Sequence, residues 1–337
     1  MMTKRISVLL LAFHACLWPF LAETDGGGCA SAQTGTTAYE FLNVPISAHS
    51  AALGGNNVSV VEDDATLLFT NPALLANVSD KTLSFNYLSY MSSSSKLSAS
   101  FVRQVGERGT WAVAGQVLNY GKMKETTENF EQIGEFSASD IALQGGYTYL
   151  LTDMWSGGVQ GKVLMSNYGE FKSTGLAVDL GMHYYDEERG FAFGVVAQNV
   201  GGQVDALYEK AQKIPFNLVM GISKDLANAP IRLSFTMQDL THWNSDYYNL
   251  PGKKPNASRR FFNHASIGVD VFPSAQTWVA LGYNWRRAYE MKVLDSSHWA
   301  GFSLGAGLTV KKFKVGIGYG KYHATASSVL VNASYTL

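Results

Sequence analysis

Cysteine is almost missing from this sequence: Cys16 and Cys29 are the only two among 337 residues. Both precede Gln33, so the chain beyond that point has no thiol for a disulfide, a nucleophile or a thiolate-held metal. Charge is scarce as well. Lysine, arginine, aspartate and glutamate together make 16% of the residues, against about a quarter in ordinary soluble domains. With a net charge of −1, the basic surface that nucleic acid demands is excluded. Helix-period runs of any length are missing beyond residue 80. What is plentiful is glycine, with 33 residues, and aromatic side chains at 12%. Few charges and many rings suit a chain that exposes much of its surface to lipid; a large, well-buried β protein shares that composition.

Residues 1–32 read as a targeting segment. Lys4 and Arg5 precede the apolar run from Ile6 to Ala22, and Ala30-Ser31-Ala32 offers a small-residue cleavage site. A membrane anchor is the competing reading, but His14 and Pro19 interrupt a run that already falls short of the ~20 residues a spanning helix needs. Cys29 resembles a lipoprotein acceptor only superficially, because Gly26 stands three residues before it, where an apolar residue belongs.

From Thr82 onward the pattern has period two. Ile141, Leu143, Tyr147 and Tyr149 alternate with Ala142, Gln144, Gly146 and Thr148, and Phe302, Leu304, Leu308 and Val310 alternate with small residues. Such runs are strands with one apolar face and one polar or small face. About fourteen are expected, a number within the range of bacterial outer-membrane barrels: 82–91, 95–105, 109–121, 136–151, 154–168, 172–186, 189–200, 215–226, 230–243, 262–272, 276–289, 300–311, 313–322 and 327–337. After the targeting segment every proline falls outside these runs or at an edge, where no central ladder bond is lost. The connections alternate. Tight ones such as Gly106-Glu107-Arg108 and Thr152-Asp153 take turns with long polar ones such as Lys122 to Glu135 and Asn244 to Phe261. Short turns on one rim and long loops on the other predict an all-β, antiparallel, up-and-down transmembrane barrel over 81–337. Closure follows from hydrocarbon, which leaves no unpaired backbone group tolerable. The polar parity then puts Lys162, Asp179, His183, Gln198, Arg232 and Asp270 inside, while Tyr87, Tyr120, Tyr149, Trp243 and Tyr319 are expected in the interfacial girdles.

The stretch SVVEDDATLLFTNPALL, Ser59 to Leu75, does not fit that wall. Asp64 can cap a short helix, and Pro72 limits it by disfavouring helical geometry at Asn71. So short a helix is marginal in water and its leucines need a surface. A barrel this wide is not filled by its own wall side chains. Residues 33–80 are therefore expected inside it as a plug with short helices, including a turn over Ser47 to Leu53 ended by Gly54-Gly55. A periplasmic arm is the alternative.

The stretch ALGGNNVSVVEDDATLLFTNPALL, with Asp63, Asp64, Asn71, Pro72 and Ala73, resembles the N-terminal hatch of FadL-like outer-membrane barrels. Four stretches spread over the chain resemble PorQ-type barrels of the type IX secretion system: YEFLNVPISAHSAALGGNNVSVVEDD, NYGKMKETTENFEQIGEFSASD, GLAVDLGMHYYDEERGF and IPFNLVMGISKDLANAPIRLSF. The second resemblance implies a scaffold rather than a catalyst. It would sit in the cell-surface attachment complex, with a sortase and a PorV-like shuttle, and anchor a PorZ-like surface protein where cargo is joined to lipopolysaccharide. It carries no contact residues over to this chain. The first resemblance implies instead a transporter of hydrophobic small molecules, which needs apolar capture loops and a side exit; the loops here are mostly polar, and the Gly145-Gly146 and Gly157-Gly158 pairs could kink the wall.

Candidate chemistry is thin, and no cofactor or metal is implied. Ser93-x-x-Lys96 matches a penicillin-recognising motif in form, but it falls in a hairpin loop and its companion elements are missing. Gly316, Gly318 and Gly320 alternate along a strand, so they read as inner-wall clearance rather than a phosphate cradle. Asp63 and Asp64 read as capping residues before they read as a proton-transfer pair. His183, His264, His298 and His323 show no metal-ligand spacing. The cations Lys253, Lys254, Arg259, Arg260, Arg286 and Arg287 in the long loops either bind lipopolysaccharide phosphate or an acidic protein face, or are simply solvated.

Overall fold

The computed structural model describes residues 37–90, 94–126, 132–206, 211–243, 256–290, 299–322 and 327–337. The targeting segment, Ser93, Lys253, Lys254, His298 and His323 lie outside these residues. Fourteen strands are formed among the described residues. They are β1 (Thr82–Ser89), β2 (Ser95–Val105), β3 (Gly109–Thr126), β4 (Gln132–Leu150), β5 (Trp155–Tyr168), β6 (Phe171–Asp186) and β7 (Phe191–Asp205). There follow β8 (Asn217–Asp225), β9 (Ile231–Met237), β10 (Ala265–Ser274), β11 (Thr277–Asn284), β12 (Phe302–Val310), β13 (Phe313–Gly320) and β14 (Ser328–Thr336).

Each strand pairs antiparallel with its sequence neighbours, and β1 pairs with β14 from Thr82↔Thr336 to Ser89↔Val329, closing the barrel. The period-two pattern is the reason. In β1, Phe85 and Tyr87 are exposed on the outer face while Ser84 and Asn86 are buried inside. The same parity leaves Leu143, Val159, Leu281 and Ile317 exposed around the wall. An apolar exterior on a ring without edges is a transmembrane surface. No described helix is long and apolar enough to span a membrane.

Two expected strands are shorter than their runs. The run 230–243 leaves the sheet at Met237, where Asp239 takes a left-handed φ of 57° and starts a 3-10 turn, Leu240–His242. The run 276–289 stops at Asn284, whose Oδ1 accepts from Arg287 N at 3.0 Å as a helix over Trp285–Glu290 begins. Conversely, β3 and β4 continue as a hairpin into what the sequence suggested was loop, reaching 18 and 19 residues. The wall is thus tall at β3–β7 and shorter from β8 to β14.

Residues 37–80 lie against the inner face. A 3-10 turn covers Glu40–Asn43, α1 covers Ala48–Ala52, and two further 3-10 helices cover Ala65–Phe69 and Pro72–Asn77. Ser47 caps α1, and Gly54 and Gly55 end it at φ 100° and 91°. Leu67, Leu68, Leu74 and Leu75 are buried with Val102 and Ala112 of the wall, which answers what these leucines pack on. Phe41 is buried with Leu118, Ala142 and Leu164.

Irregular backbone at membrane depth must find partners within the protein. Here the wall supplies them. Lys96 donates to Phe41 O and Val44 O, Ser303 to Ala52 O, Asn284 to Gly54 O and Arg232 to Val61 O. Gln198, Thr148 and Ser156 donate to Thr70 O, Pro72 O and Ala73 O. Contact is close enough to need glycine. A Cβ on Gly158 would stand 2.5 Å from Ala73 N, and one on Gly318 2.6 Å from Ala48 O.

Candidate functional site

A cavity of about 420 Å³ opens where residues 37–40 meet the tall side of the wall. Tyr120, Asp140, Ser166 and Tyr168 share the inward parity of β3, β4 and β5, and Asp140 is in register with both Leu118 and Ser166. At Tyr120-Gly121 the β3–β4 register shifts, with Gly121 at φ 79°, so β3 bulges at the level of the cavity. Tyr120 therefore faces the lumen, not the interfacial girdle expected of it, and its hydroxyl donates to Asp140 at 2.6 Å. The Tyr168 hydroxyl reaches both Asp140 oxygens, at 3.0 and 2.9 Å, and Ser166 donates to Oδ1. Phe171 stands at the mouth.

The floor comes from the N-terminal segment. Tyr39, at a left-handed φ of 61°, bonds Ser173 at 2.7 Å, and Ser173 also accepts from Gln203. Ala38 N donates to Lys213 O at 2.9 Å, tying the segment to the chain before β8. Burial raises the Tyr39 hydroxyl above the usual phenol range, although its bond to Ser173 opposes the shift.

The hatch-motif residues separate into different roles. Asp64 Oδ1 accepts from Thr66 N and from Ser84, both at 2.8 Å; burial, then the charge of Glu62, raises its carboxyl. Asp63 accepts from Ser79 and from Lys314 of β13, so it is a wall contact and not a cap. Asn71 caps the helix that begins at Pro72, through Ala73 N at 3.0 Å, and donates to Val58 O at 3.1 Å. It begins a helix as well as following one. Pro72 and Ala73 present their carbonyls to β4 and β5.

Sequence reasoning missed how the lumen charges combine. His49 lies between Glu62 at 2.6 Å and Asp270 at 2.7 Å, stacked on Trp278, while Arg232 binds Asp270 at 2.8 Å. Burial opposes a charge on His49, but Glu62 and then Asp270 outweigh it and raise its pKa to about 9. Lys162 pairs with Asp179 at 2.6 Å.

The described loop cations, Arg259, Arg260, Arg286 and Arg287, do not all face outward. Arg287 is buried, donating to Ala300 O at 3.0 Å and Gly301 O at 3.2 Å, and its guanidinium lies over Tyr322. Arg286 pairs with Glu290 at 2.7 Å, and Arg259, in a separate helix over Ala257–Asn263 that also holds Arg260, stacks on Tyr289. Arg287 is therefore a clamp on its own loop, because the carbonyls ahead of β12 need a donor there. The expected wall kink is displaced as well. The β4–β5 ladder runs unbroken through both glycine pairs, and the irregularity lies in β7, where Asn199 takes φ 61° and the β6–β7 register shifts beyond Val178. Above Gln198↔Asn217 the β7–β8 ladder ends.

A polar-lined, lipid-facing ring with its own N-terminal segment against the inner wall defines the chain as a transmembrane barrel of outer-membrane type. No protein-family model and no curated protein matches it. Solved structures do. The toluene transporter TbuX of Ralstonia pickettii aligns at 13% identity and a TM-score of 0.54, over 87% of this chain and 98% of that one. The toluene transporter TodX of Pseudomonas putida aligns at 13% and 0.53, over 86% and 96%. A FadL homologue of Pseudomonas aeruginosa aligns at 11% and 0.55, over 87% and 99%. What is shared at such identity is the fold alone, a closed fourteen-stranded antiparallel barrel.

Proposed function

We propose that this barrel lies in an outer membrane and admits small, largely apolar organic molecules through the cleft at its long-loop rim, with residues 33–80 acting as the hatch. The observation that carries the reading is the cleft itself. Within a FadL-type wall, a space of about 420 Å³ is bounded by Tyr39, Tyr120, Tyr168 and Phe171 at the point where segment and wall meet. Its size falls in the range of small-molecule sites. The toluene transporters with this fold support the substrate class, and the end of the β7–β8 ladder at Gln198↔Asn217, beyond which side chains of Asn199 and Gln203 link the described residues, supports a side exit. The test is uptake of labelled toluene by outer-membrane-bearing cells with and without the protein. Faster uptake is expected, and a rate equal to that of empty cells overturns the reading.

A second reading follows the PorQ resemblance, in which the barrel anchors a PorZ-like surface protein beside a sortase and a PorV-like shuttle, in contact with lipopolysaccharide. One local observation favours it. Trp299 is 75% exposed on a stretch that Arg287 holds fixed through Ala300 and Gly301, as an anchoring ring on a partner-facing loop would be. A pull-down from outer membranes with and without residues 244–261 distinguishes the readings: a surface protein recovered only with the loop supports anchoring, and no recovered protein overturns it.

A further inference from the structure

Six aspartates are buried among the described residues: Asp64, Asp140, Asp179, Asp186, Asp239 and Asp270. Asp179, Asp186, Asp239 and Asp270 each have a basic side chain beside them. Asp64 and Asp140 pair with none. Asp64 is closed in beneath the N-terminal segment and its carboxyl is raised by burial. Asp140, 1% exposed, instead lines the open cleft. It is surrounded by three hydroxyl donors, Tyr120, Ser166 and Tyr168, which occupy most of the roughly four lone-pair positions a carboxylate offers. Among the described residues no basic side chain stands at ion-pair distance from it, and the buried Lys96 acts on it only from farther off.

Other polar groups of the lining are partly occupied as well. Glu40 accepts from Thr37 and Asn43, the Gln203 carbonyl from Gln212 N, and the Tyr39 hydroxyl is engaged with Ser173. Among the described lining residues Glu40 and Asp140 are the charged ones, and both are acidic. Around them stand four aromatic rings, with Tyr120 and Tyr168 at 6.0 Å between centroids and tilted by 44°. Aromatic ring faces attract a diffuse cation that offers no hydrogen-bond donor.

We propose that the cleft binds small quaternary ammonium ions, held by the faces of Tyr39, Tyr120, Tyr168 and Phe171 with Asp140 as the buried counter-charge. This rests on the transport reading above and names the substrate class of the same site. A primary ammonium, strongly hydrated and needing three acceptors, is disfavoured because the acceptors of the lining are largely occupied by donors of the protein itself.

The test uses the full chain in a non-ionic detergent, titrated calorimetrically with benzyltrimethylammonium and with neopentylbenzene, its uncharged carbon isostere. Binding of the cation about tenfold tighter than the isostere is expected. Phe171→Leu, at the exposed mouth, should remove most of that preference, and Asp140→Asn should remove it while leaving the isostere's affinity within about twofold. Heat-dependent gel mobility reports whether each variant still forms a closed barrel, and Phe171→Leu keeps the test decisive if Asp140→Asn does not fold. Equal affinity for the two probes overturns the cation assignment and leaves the transport reading standing. Binding of neither probe, with toluene uptake at the empty-cell rate, overturns both.

Discussion

Raising the pH through about 9 should loosen the N-terminal segment from the wall, and the reason is the number of protons on one ring. His49 Nδ1 faces Glu62 and Nε2 faces Asp270, at 2.6 and 2.7 Å. Only imidazolium carries two N–H groups; a neutral ring must turn a lone pair toward one of the carboxylates. Its folded pKa of about 9 lies above the ordinary 6.5. The stabilisation is therefore fully present below about pH 6.5 and is lost as the pH rises through about 9, amounting to ~3 kcal/mol, or about two orders of magnitude in the opening equilibrium. Hydrogen exchange of residues 48–62 in detergent micelles, corrected for the intrinsic rate at each pH, measures it. The protection of Ala51, Leu53 and Gly54 should fall between pH 6.5 and 9.5, while strand amides far from the lumen contacts keep theirs. In His49→Gln the same amides should be less protected at pH 6.5 and show no such fall. Flat protection in the wild-type protein, or an equal fall in His49→Gln, refutes the reasoning.

Three further outcomes follow from the geometry. Gly158→Ala drives a methyl against the Pro72-Ala73 backbone and should destabilise by about 1–3 kcal/mol, whereas Gly145→Ala, with open space at its Cβ, should change the unfolding midpoint little; urea titration in micelles compares them. Asn71→Ala removes a buried cap and a buried donor and should lose about 2–3 kcal/mol; Asn71→Asp keeps the cap acceptor, so any stability it recovers over alanine in the same titration isolates the cap. Leu143→Arg puts a charge on the outer face of β4, where the residue is 53% exposed, and should destabilise the barrel in liposomes by about 2–4 kcal/mol, measured by reversible folding into bilayers.

How far the structure could be read from the sequence depends on which contacts are local. Strand positions come from alternation along a few residues, so the ring of fourteen and the inward set Lys162, Asp179, Arg232 and Asp270 were legible. The cap at Asp64 was legible for the same reason, since donor and acceptor lie two residues apart, whereas Ser47, which caps α1, reads from the sequence only as part of the turn. Tyr120 was misplaced although the signal existed, since it shares parity with the buried Gln116 and Leu118 and precedes a glycine that bulges the strand. Nothing local announces Asn199 as a left-handed position, because that conformation depends on Asp179 accepting its N–H at 2.7 Å from the neighbouring strand. Likewise His49 meets Asp270 across 221 residues, a pairing set by how the segment is rotated in the lumen.

The same contacts decide where a passage past the segment is least costly to form. Between Ser47 and Val78 the backbone is held by donors from strands on every side, including Gln198, Thr148, Ser156, Ser303 and Asn284, and its apolar side chains fill the interior. Displacing that part strands many buried carbonyls at once, each carrying a desolvation penalty of about 1–3 kcal/mol. Between Thr37 and Val44 the attachments are fewer: the Ala38 link to Lys213, the Tyr39 hydroxyl, and the two carbonyls that Lys96 binds. These residues also border the cleft and stand beside the seam where the β7–β8 ladder has ended. Releasing them joins the cleft to the seam and leaves the hydrogen-bonded body of the segment in place. The low-cost opening is thus lateral and local to the tall side of the wall, and an axial channel would require breaking the packing that also makes the lumen a folded core.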